Sequence, residues 1–433
     1  FATAIICHRQ LYEARPDAAH LTEFYMLMSL GGVLGGLFVS LVAPLVFSSV
    51  FEYPLLLVLG VMARKDVWQN STLRGLLRQP ATPLAVGLAL MALMAFTAPN
   101  GGAYLLTSTH VIEAGFFGAC AYVLFRAKEM ALAGLAMVMV VFSSITGQSQ
   151  ERVALRSYFG VLSVTDNAAV GARLFNHGTT VHGAQRLEEL KEGYIGKPHP
   201  LTYYSPEGGM ARALQMTQAR LAAVGKQGVI RVIGLGTGSL ACYSKPGEDW
   251  AYYEIDRDVI KIAQDKNQFT FLSACAPGMK MIEGDARITL NQSQDEKADY
   301  LLVDAFSSDS IPVHLITTEA MRLFLSHVKD DGVLTIHVTN RYMDLVPVVA
   351  ANMKAIDSTL QGRVVDYVPP KAGDLKAAHS IAIVISRSAK SLEALDQMSD
   401  VKPLLPVSGI DQWTDDFSNL PGAIIRRLSV TKY

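Results

Sequence analysis

Three acidic residues stand at matching points of the sequence, each at the end of a short apolar run. Glu254 follows AYY, Asp285 follows MKMIEG, and Asp304 closes DYLLVD. Upstream of all three, Gly234-Leu235-Gly236-Thr237-Gly238 follows directly on GVIRVI. Glycines there allow a tight turn and let a ligand approach the backbone, with N–H groups at the next helix start facing it. Glu254, with Ile255 beside it, lies about the twenty residues on at which a carboxylate accepts ribose hydroxyl protons. Asp285, followed by Ala286, stands where an acid accepts a hydrogen bond from an adenine amino group. Asp304 either orients or deprotonates an amine nucleophile or caps the next helix. Asp309, five residues on, binds a second cationic nitrogen or caps a helix. Asp256 reads as the cap of a helix beginning near Arg257.

The elements that must hold these groups alternate. Apolar runs at 228–233, 251–255, 279–283, 299–304 and 332–338 read as strands, with helical spacing between them over 259–269 and 316–328. That order predicts a doubly wound, mostly parallel sheet covered on both faces, with ligands outside its carboxyl ends. Two later runs, 363–368 and 380–386, predict an antiparallel hairpin at one edge. The expected fold class is therefore α/β, a class I methyltransferase-like Rossmann sheet. Upstream, 157–166 and 172–176 read as a β-hairpin, then a polar stretch holding His177, His182, Tyr203 and Tyr204, then a helix over 210–224. The expected domains are a helical transmembrane region over 1–150, a β-hairpin and connecting segment over 151–225, and the nucleoside-binding domain over 226–433.

Half of the 433 residues are hydrophobic and 18% are charged, against roughly 25% charged in soluble domains. The apolar excess falls in 21–147. Residues 21–50 run apolar for longer than a bilayer needs, with Glu23 as the one acid, a pair of GxxxG spacings at Gly31, Gly32, Gly35 and Gly36, and a kink expected at Pro44. Further apolar segments follow at 55–63, 83–98, 103–125 and 130–147. His110 and Glu113, on one helical face, mark a path through the membrane or pair near its interface. Arg64, Lys65, Arg74 and Arg78 make their loop cytoplasmic, which with three later segments puts the soluble domain outside; a nucleoside ligand argues for the inside. Phe1 to Cys7 reads as the end of a helix cut from a longer chain. A net charge of −1 and the lack of a basic stripe disfavour nucleic acid. Cys7, Cys120, Cys242 and Cys275 lie far apart, so neither a disulfide framework nor a zinc site is expected, and Cys242 and Cys275 read as small buried apolar residues in a reducing compartment. Trp413-Thr414-Asp415-Asp416 either folds over the site or caps a helix before Phe417.

GLGTGSL, YYEID, GDAR and VDAFSSDSIP, together with the hairpin before them, resemble the spermidine synthase (polyamine aminopropyltransferase) family over 157–340. With HLTEFYMLMSLGGVLGGL, the chain is similar to the bacterial membrane-fused branch of that family. The resemblance implies that the glycine turn and Glu254 hold S-adenosylmethionine or its decarboxylated form, that Asp285 holds the adenine, and that Asp304 activates the acceptor amine. No metal is implied. It further implies an inner-membrane protein with a cytoplasmic catalytic domain, an amine substrate, contact with the lipid bilayer and a homodimer. The chain departs from the family's pattern at two places. Thr237 stands where the family has an Asp in the glycine turn, and Tyr204-Ser205-Pro206 replaces a Tyr-His-Glu or Tyr-Gln-Glu element. His177, His182, Tyr203 and Tyr204 either replace the lost polar groups or serve as structural hydrogen-bonding residues. The expected activity is aminopropyl-type transfer to an amine; the alternatives are a methyltransferase and a non-catalytic membrane sensor or transporter.

Overall fold

The computed structural model describes residues 2–47, isolated positions between 50 and 60, and 151–430 apart from 179, 307–311 and 371–374. The apolar segments expected within 61–147, His110, Glu113 and Asp309 lie outside the described residues. The chain divides into two units, Phe1–Ser149 and Gln150–Tyr433.

In the first unit, α1 (Ala2–Glu13) precedes α2 (Leu21–Leu37), which runs on to Val46. The stretch Ala18–Val46, 29 residues with a mean hydropathy of 2.0, is the one helix among the described residues long and apolar enough to cross a membrane. Pro44 does not end it. The helix widens to π-type turns over Phe38–Val42 just before the proline, where an ordinary turn would drive the ring against a carbonyl one turn back.

The second unit opens with a four-stranded antiparallel sheet, β1 (Glu151–Ser157), β2 (Gly160–Asn167), β3 (Ala172–His177) and β4 (Thr180–Arg186). The hairpin read from 157–166 and 172–176 is thus the middle of a larger sheet, and 157–166 spans the turn between β1 and β2. β4 carries Thr180, His182, Ala184, Gly183 and Gln185 where apolar alternation would announce a strand, which is why it reads as a polar stretch.

After α3 (Gly209–Ala222) comes the main sheet, built from β5 (Val229–Ile233), β6 (Asp249–Glu254), β7 (Lys280–Glu283), β8 (Ala298–Val303), β9 (Val328–His337), β10 (Gln361–Tyr367), β11 (Ser380–Ser386) and β12 (Val401–Pro403). Their order is β12-β10-β11-β9-β8-β5-β6-β7. Strands β5 to β9 are parallel; β11 inserts antiparallel between β9 and β10. This is the expected α/β Rossmann-like sheet. The hairpin of β10 and β11 is antiparallel, yet it is not the edge: its later strand lies inside and β12 closes the border.

Successive residues of the parallel strands face opposite layers, which explains their unbroken apolar runs. Ile233, Tyr253, Leu301, Val303, Leu334 and Ile336 pack against α6 (Ala286–Gln292), α7 (Thr318–Ser326) and α8 (Val346–Ile356). Ile230, Val232, Tyr252, Tyr300 and Leu302 pack on the other face with α3, α4 (Arg257–Gln264) and α5 (Phe271–Cys275), and the same core takes in Leu162, Val164 and Phe175 of the small sheet. Polar clamps tie the small sheet to the segment between α4 and α5. Arg173 on β3 donates to Asp166 and to the carbonyls of Asn267 and Gln268, and Gln185 on β4 exchanges two hydrogen bonds with Thr270.

Cys242 and Cys275 form a disulfide with Cα atoms 4.7 Å apart. The expectation of two independent buried thiols is therefore corrected. The partners are 33 residues apart in sequence, and the packing of α5 against the short helix Ser239–Tyr243 behind the glycine turn brings them together. A lasting disulfide is rare in a reducing compartment.

Candidate functional site

The site forms where the parallel strands end. The chain leaves β5 at Ile233 and turns through Gly234 and Gly236, both with positive φ (94° and 55°). The turn needs glycine for space as well as conformation. A Cβ on Gly236 would sit 2.8 Å from the carbonyl oxygen of His182, and one on Gly234 would strike the carbonyl oxygen of Asp304. The turn is thus pressed between β4 and the end of β8, and this brings His182 and Asp304 to one place.

A cavity of about 290 Å³ opens above the strand ends. Gly234, Leu235, Gly236, Glu254, Ile255, Asp285, Ala286, Asp304, His177 and His182 line it, with Phe159 and Phe306 at its apolar parts. Thr237, Gly238, Tyr203 and Tyr204 are not in its lining. Thr237 is fully buried with its side chain against Gly183 of β4, so it faces away from the cavity.

Glu254 ends β6 and accepts hydrogen bonds from the N–H groups of Leu235 and Asp256, each at 3.0 Å. Burial pushes its carboxyl up to about 6, and the backbone donors of Asp256, Leu235 and Ile255 only partly offset this. Each carboxylate oxygen keeps a lone pair for a hydroxyl donor, a set that fits a ribose. Asp256 caps α4 by accepting from Asp258 N–H and also accepts from Ser157 Oγ at 2.6 Å. Asp285 caps α6 through the N–H groups of Arg287 and Ile288; capping and cavity lining are both true of this residue. Among the described residues no group of His, Cys, Asp and Glu is arranged to hold a metal ion.

Asp304 is buried and doubly engaged. Tyr204 Oη donates to its Oδ2, and His337 Nδ1 lies 2.6 Å from its Oδ1. Burial alone would raise its carboxyl, but the His337 and Tyr204 contacts outweigh burial and hold it below the usual carboxylate range, with His182 adding to the effect. Burial and the Asp304 charge push the Tyr203 and Tyr204 hydroxyls well above the ordinary tyrosine value. The Tyr203 and Phe306 rings each stack about the His337 ring at 5.0 Å. Tyr203 and Tyr204 therefore support the Asp304 end from behind, while His177 and His182, with ring centroids 5.6 Å apart, face the cavity.

His337, Thr339, Phe306 and His314 are absent from the sequence reading. The available signal for His337 was its place: a histidine closing β9, the strand beside β8.

Asp415, near the C-terminus, neither folds over the cavity nor caps a helix. It holds Arg287 in a two-pronged ion pair at 2.8 Å and accepts from Thr317 Oγ1, locking α6 to α7.

No protein-family model and no curated protein matches the chain. Among solved structures, a probable spermidine synthase from Corynebacterium glutamicum is 14% identical, with 63% of this chain and 96% of that one covered and a TM-score of 0.41. The spermidine synthase of Thermotoga maritima is 13% identical over 65% of this chain and 88% of that one, with a TM-score of 0.41. Human methyltransferase-like protein 13, solved with SAH, is 16% identical over 52% of this chain and 92% of that one, with a TM-score of 0.32. At these identities and scores the similarity says nothing of activity.

Proposed function

We propose that the Gln150–Tyr433 unit is a membrane-anchored transferase that takes an S-adenosyl nucleoside, S-adenosylmethionine or its decarboxylated form, and moves an aminopropyl-type group from it to an amine. The observation that carries this reading is the convergence of Glu254, Asp285 and Asp304 from neighbouring parallel strands around one cavity. Glu254 offers oxygens to ribose hydroxyls and Asp285 stands at the adenine end. Asp304 supplies a fixed negative charge where an acceptor nitrogen would approach.

In the reaction, the nitrogen lone pair attacks the carbon beside the sulfonium. The carbon–sulfur bond breaks with its electron pair going to sulfur, which becomes a neutral thioether, methylthioadenosine. Positive charge passes from sulfur to nitrogen, and the proton the nitrogen gives up leaves to solvent, so that Asp304 ends the transfer as an anion. An anion beside that nitrogen stabilises the charge as it develops, and two reactants held in one cavity react as a unimolecular pair. The helix Ala18–Val46 supports the membrane anchor.

The test is mass spectrometry of products after incubation of the full-length chain with each donor and a panel of mono-, di- and polyamines. Methylthioadenosine bearing out aminopropyl transfer is the expected product. S-adenosylhomocysteine would make the protein a methyltransferase. If both donors bind and neither is consumed, and Asp304→Asn leaves that binding unchanged, the domain is a sensor.

A further inference from the structure

Asp304 is held by His337, a residue that neither lines the cavity nor makes or breaks a bond in the transfer. His337 ends β9, and the register of β9 on β8 pairs Val303 with Ile336, which sets His337 beside Asp304. Its ring is buried, as is the carboxylate it meets. The second ring nitrogen, Nε2, lies 2.6 Å from Thr339 Oγ1, and that oxygen accepts the N–H of Ile381 at 2.7 Å. The Thr339 hydroxyl either donates to a bare Nε2 or accepts from a protonated one, and the Asp304 carboxylate, held in its ionised form, can only accept. This assigns a ring proton to Nδ1, where it points at Asp304 Oδ1. Hydrogen bonds thus run without a break through Ile381, Thr339, His337, Asp304 and Tyr204.

We propose that His337 is the positioning residue of this site: its Nδ1–H fixes Asp304 in one orientation, as an anion, with its remaining lone pairs toward the acceptor nitrogen. The inference rests on the transferase reading for the identity of that nitrogen. Among the described residues, Tyr203, Tyr204, Tyr300, His182 and His337 are the titratable groups that face Asp304, and the rings of Tyr203 and Phe306 enclose His337. A buried carboxylate with only the Tyr204 donor is poorly solvated and takes up a proton more readily. Asp304 must stay charged through transfer, so losing the His337 donor narrows the pH range in which the site works.

The variants His337→Ala and His337→Asn separate positioning from packing. Neither titrates at position 337, and the Asn amide offers an N–H where Nδ1–H stands, while Ala offers none. Urea unfolding of the full-length variants in detergent, from pH 4 to pH 8, reads Asp304 without turnover. The Asn variant is expected to gain on the Ala variant as pH rises, by about tenfold in the unfolding constant for each unit by which Asp304 differs between them. In transfer, kcat falls in the Ala variant with the donor KM unchanged, its acid limb moves up by about one pH unit, and Asn restores the limb. A stability gap that stays flat with pH overturns the proposal, whether or not the wild type transfers. A gap that widens in a protein that binds no S-adenosyl ligand upholds the His337–Asp304 pair and overturns the transferase reading instead.

Discussion

Gly236 lies so close to His182 that a side chain on the glycine would sit 2.8 Å from the histidine's carbonyl oxygen. The contact ties the glycine turn to the last strand of the small sheet. Gly236→Ala must both force alanine into a left-handed backbone (φ 55°) and push β4 away. Gly225 separates the two effects: it is also left-handed (φ 67°), at the end of α3, with no described atom within 4 Å of its missing Cβ. Gly225→Ala is expected to cost about 1 kcal/mol and leave ligand binding intact. Gly236→Ala is expected to cost a further 1–3 kcal/mol or so and to abolish S-adenosyl ligand binding. Urea midpoints and calorimetric titration compare them, and equal effects from the two substitutions would show that His182 gives way freely.

The parallel strands were legible because burial on both faces leaves almost no polar residue to interrupt them, as in DYLLVD. Glu254 and Asp285 were legible because they stand at, or two residues past, the carboxyl ends of such runs, where a parallel sheet meets its ligands. β4 was not, since Thr180, His182 and Gln185 break its apolar pattern: His182 lines the cavity, and Gly183 makes room for Thr237. His337 was hidden for a different reason. Its meaning depends on the pairing of β8 with β9, a register set by tertiary contacts and not by local spacing. The Cys242–Cys275 pairing is likewise a product of how α5 packs.

That disulfide closes a loop across 33 residues containing β6 and α4. In the chain-entropy view, a loop of this length stabilises the folded state by about 3–4 kcal/mol. Reducing agent, or the double change of Cys242 and Cys275 to Ser, is expected to lower the urea midpoint of the Gln150–Tyr433 unit in the full-length chain by a matching amount. A non-reducing digest is expected to yield the two cysteine peptides joined. Separate peptides in a protein purified without reductant would place the chain in a compartment that keeps both thiols free.

Trp413 and Asp415 sit two residues apart and carry very different weight. Trp413 is buried among α7 and α8, its N–H donates to Asn352 Oδ1 and its carbonyl accepts from both N–H and Oγ1 of Thr318. Asp415 pairs with Arg287 at the surface, where both side chains keep a good part of their solvent contact. Trp413→Ala is expected to cost about 3–5 kcal/mol through the cavity it leaves, and Asp415→Asn no more than about 1 kcal/mol. Thermal unfolding of both variants checks the ranking. A large loss from Asp415→Asn would mean that the link from α6 to α7 governs the whole domain.

Glu254 joins stability and binding through one proton. Burial holds its carboxyl near 6 in the folded chain, against about 4.5 when exposed. The folded state thus keeps this proton more tightly than the unfolded state. The stabilisation from the shift is fully present below about pH 4.5 and is lost as pH rises through 6, a change of about 1–2 kcal/mol after allowing for its partial exposure to the cavity. Under the proposed function, ligand binding runs the other way, because a ribose hydroxyl donates to the carboxylate and not to the acid. The affinity for S-adenosylmethionine is therefore expected to rise about tenfold from pH 5 to pH 7 and level off above it, while Glu254→Gln binds weakly at every pH with no such step. Calorimetric titration across this range decides the point. An affinity that stays constant between pH 5 and 7.5 in the unaltered protein would remove Glu254 from the ribose contact, since no ligand that requires its charge can ignore its titration.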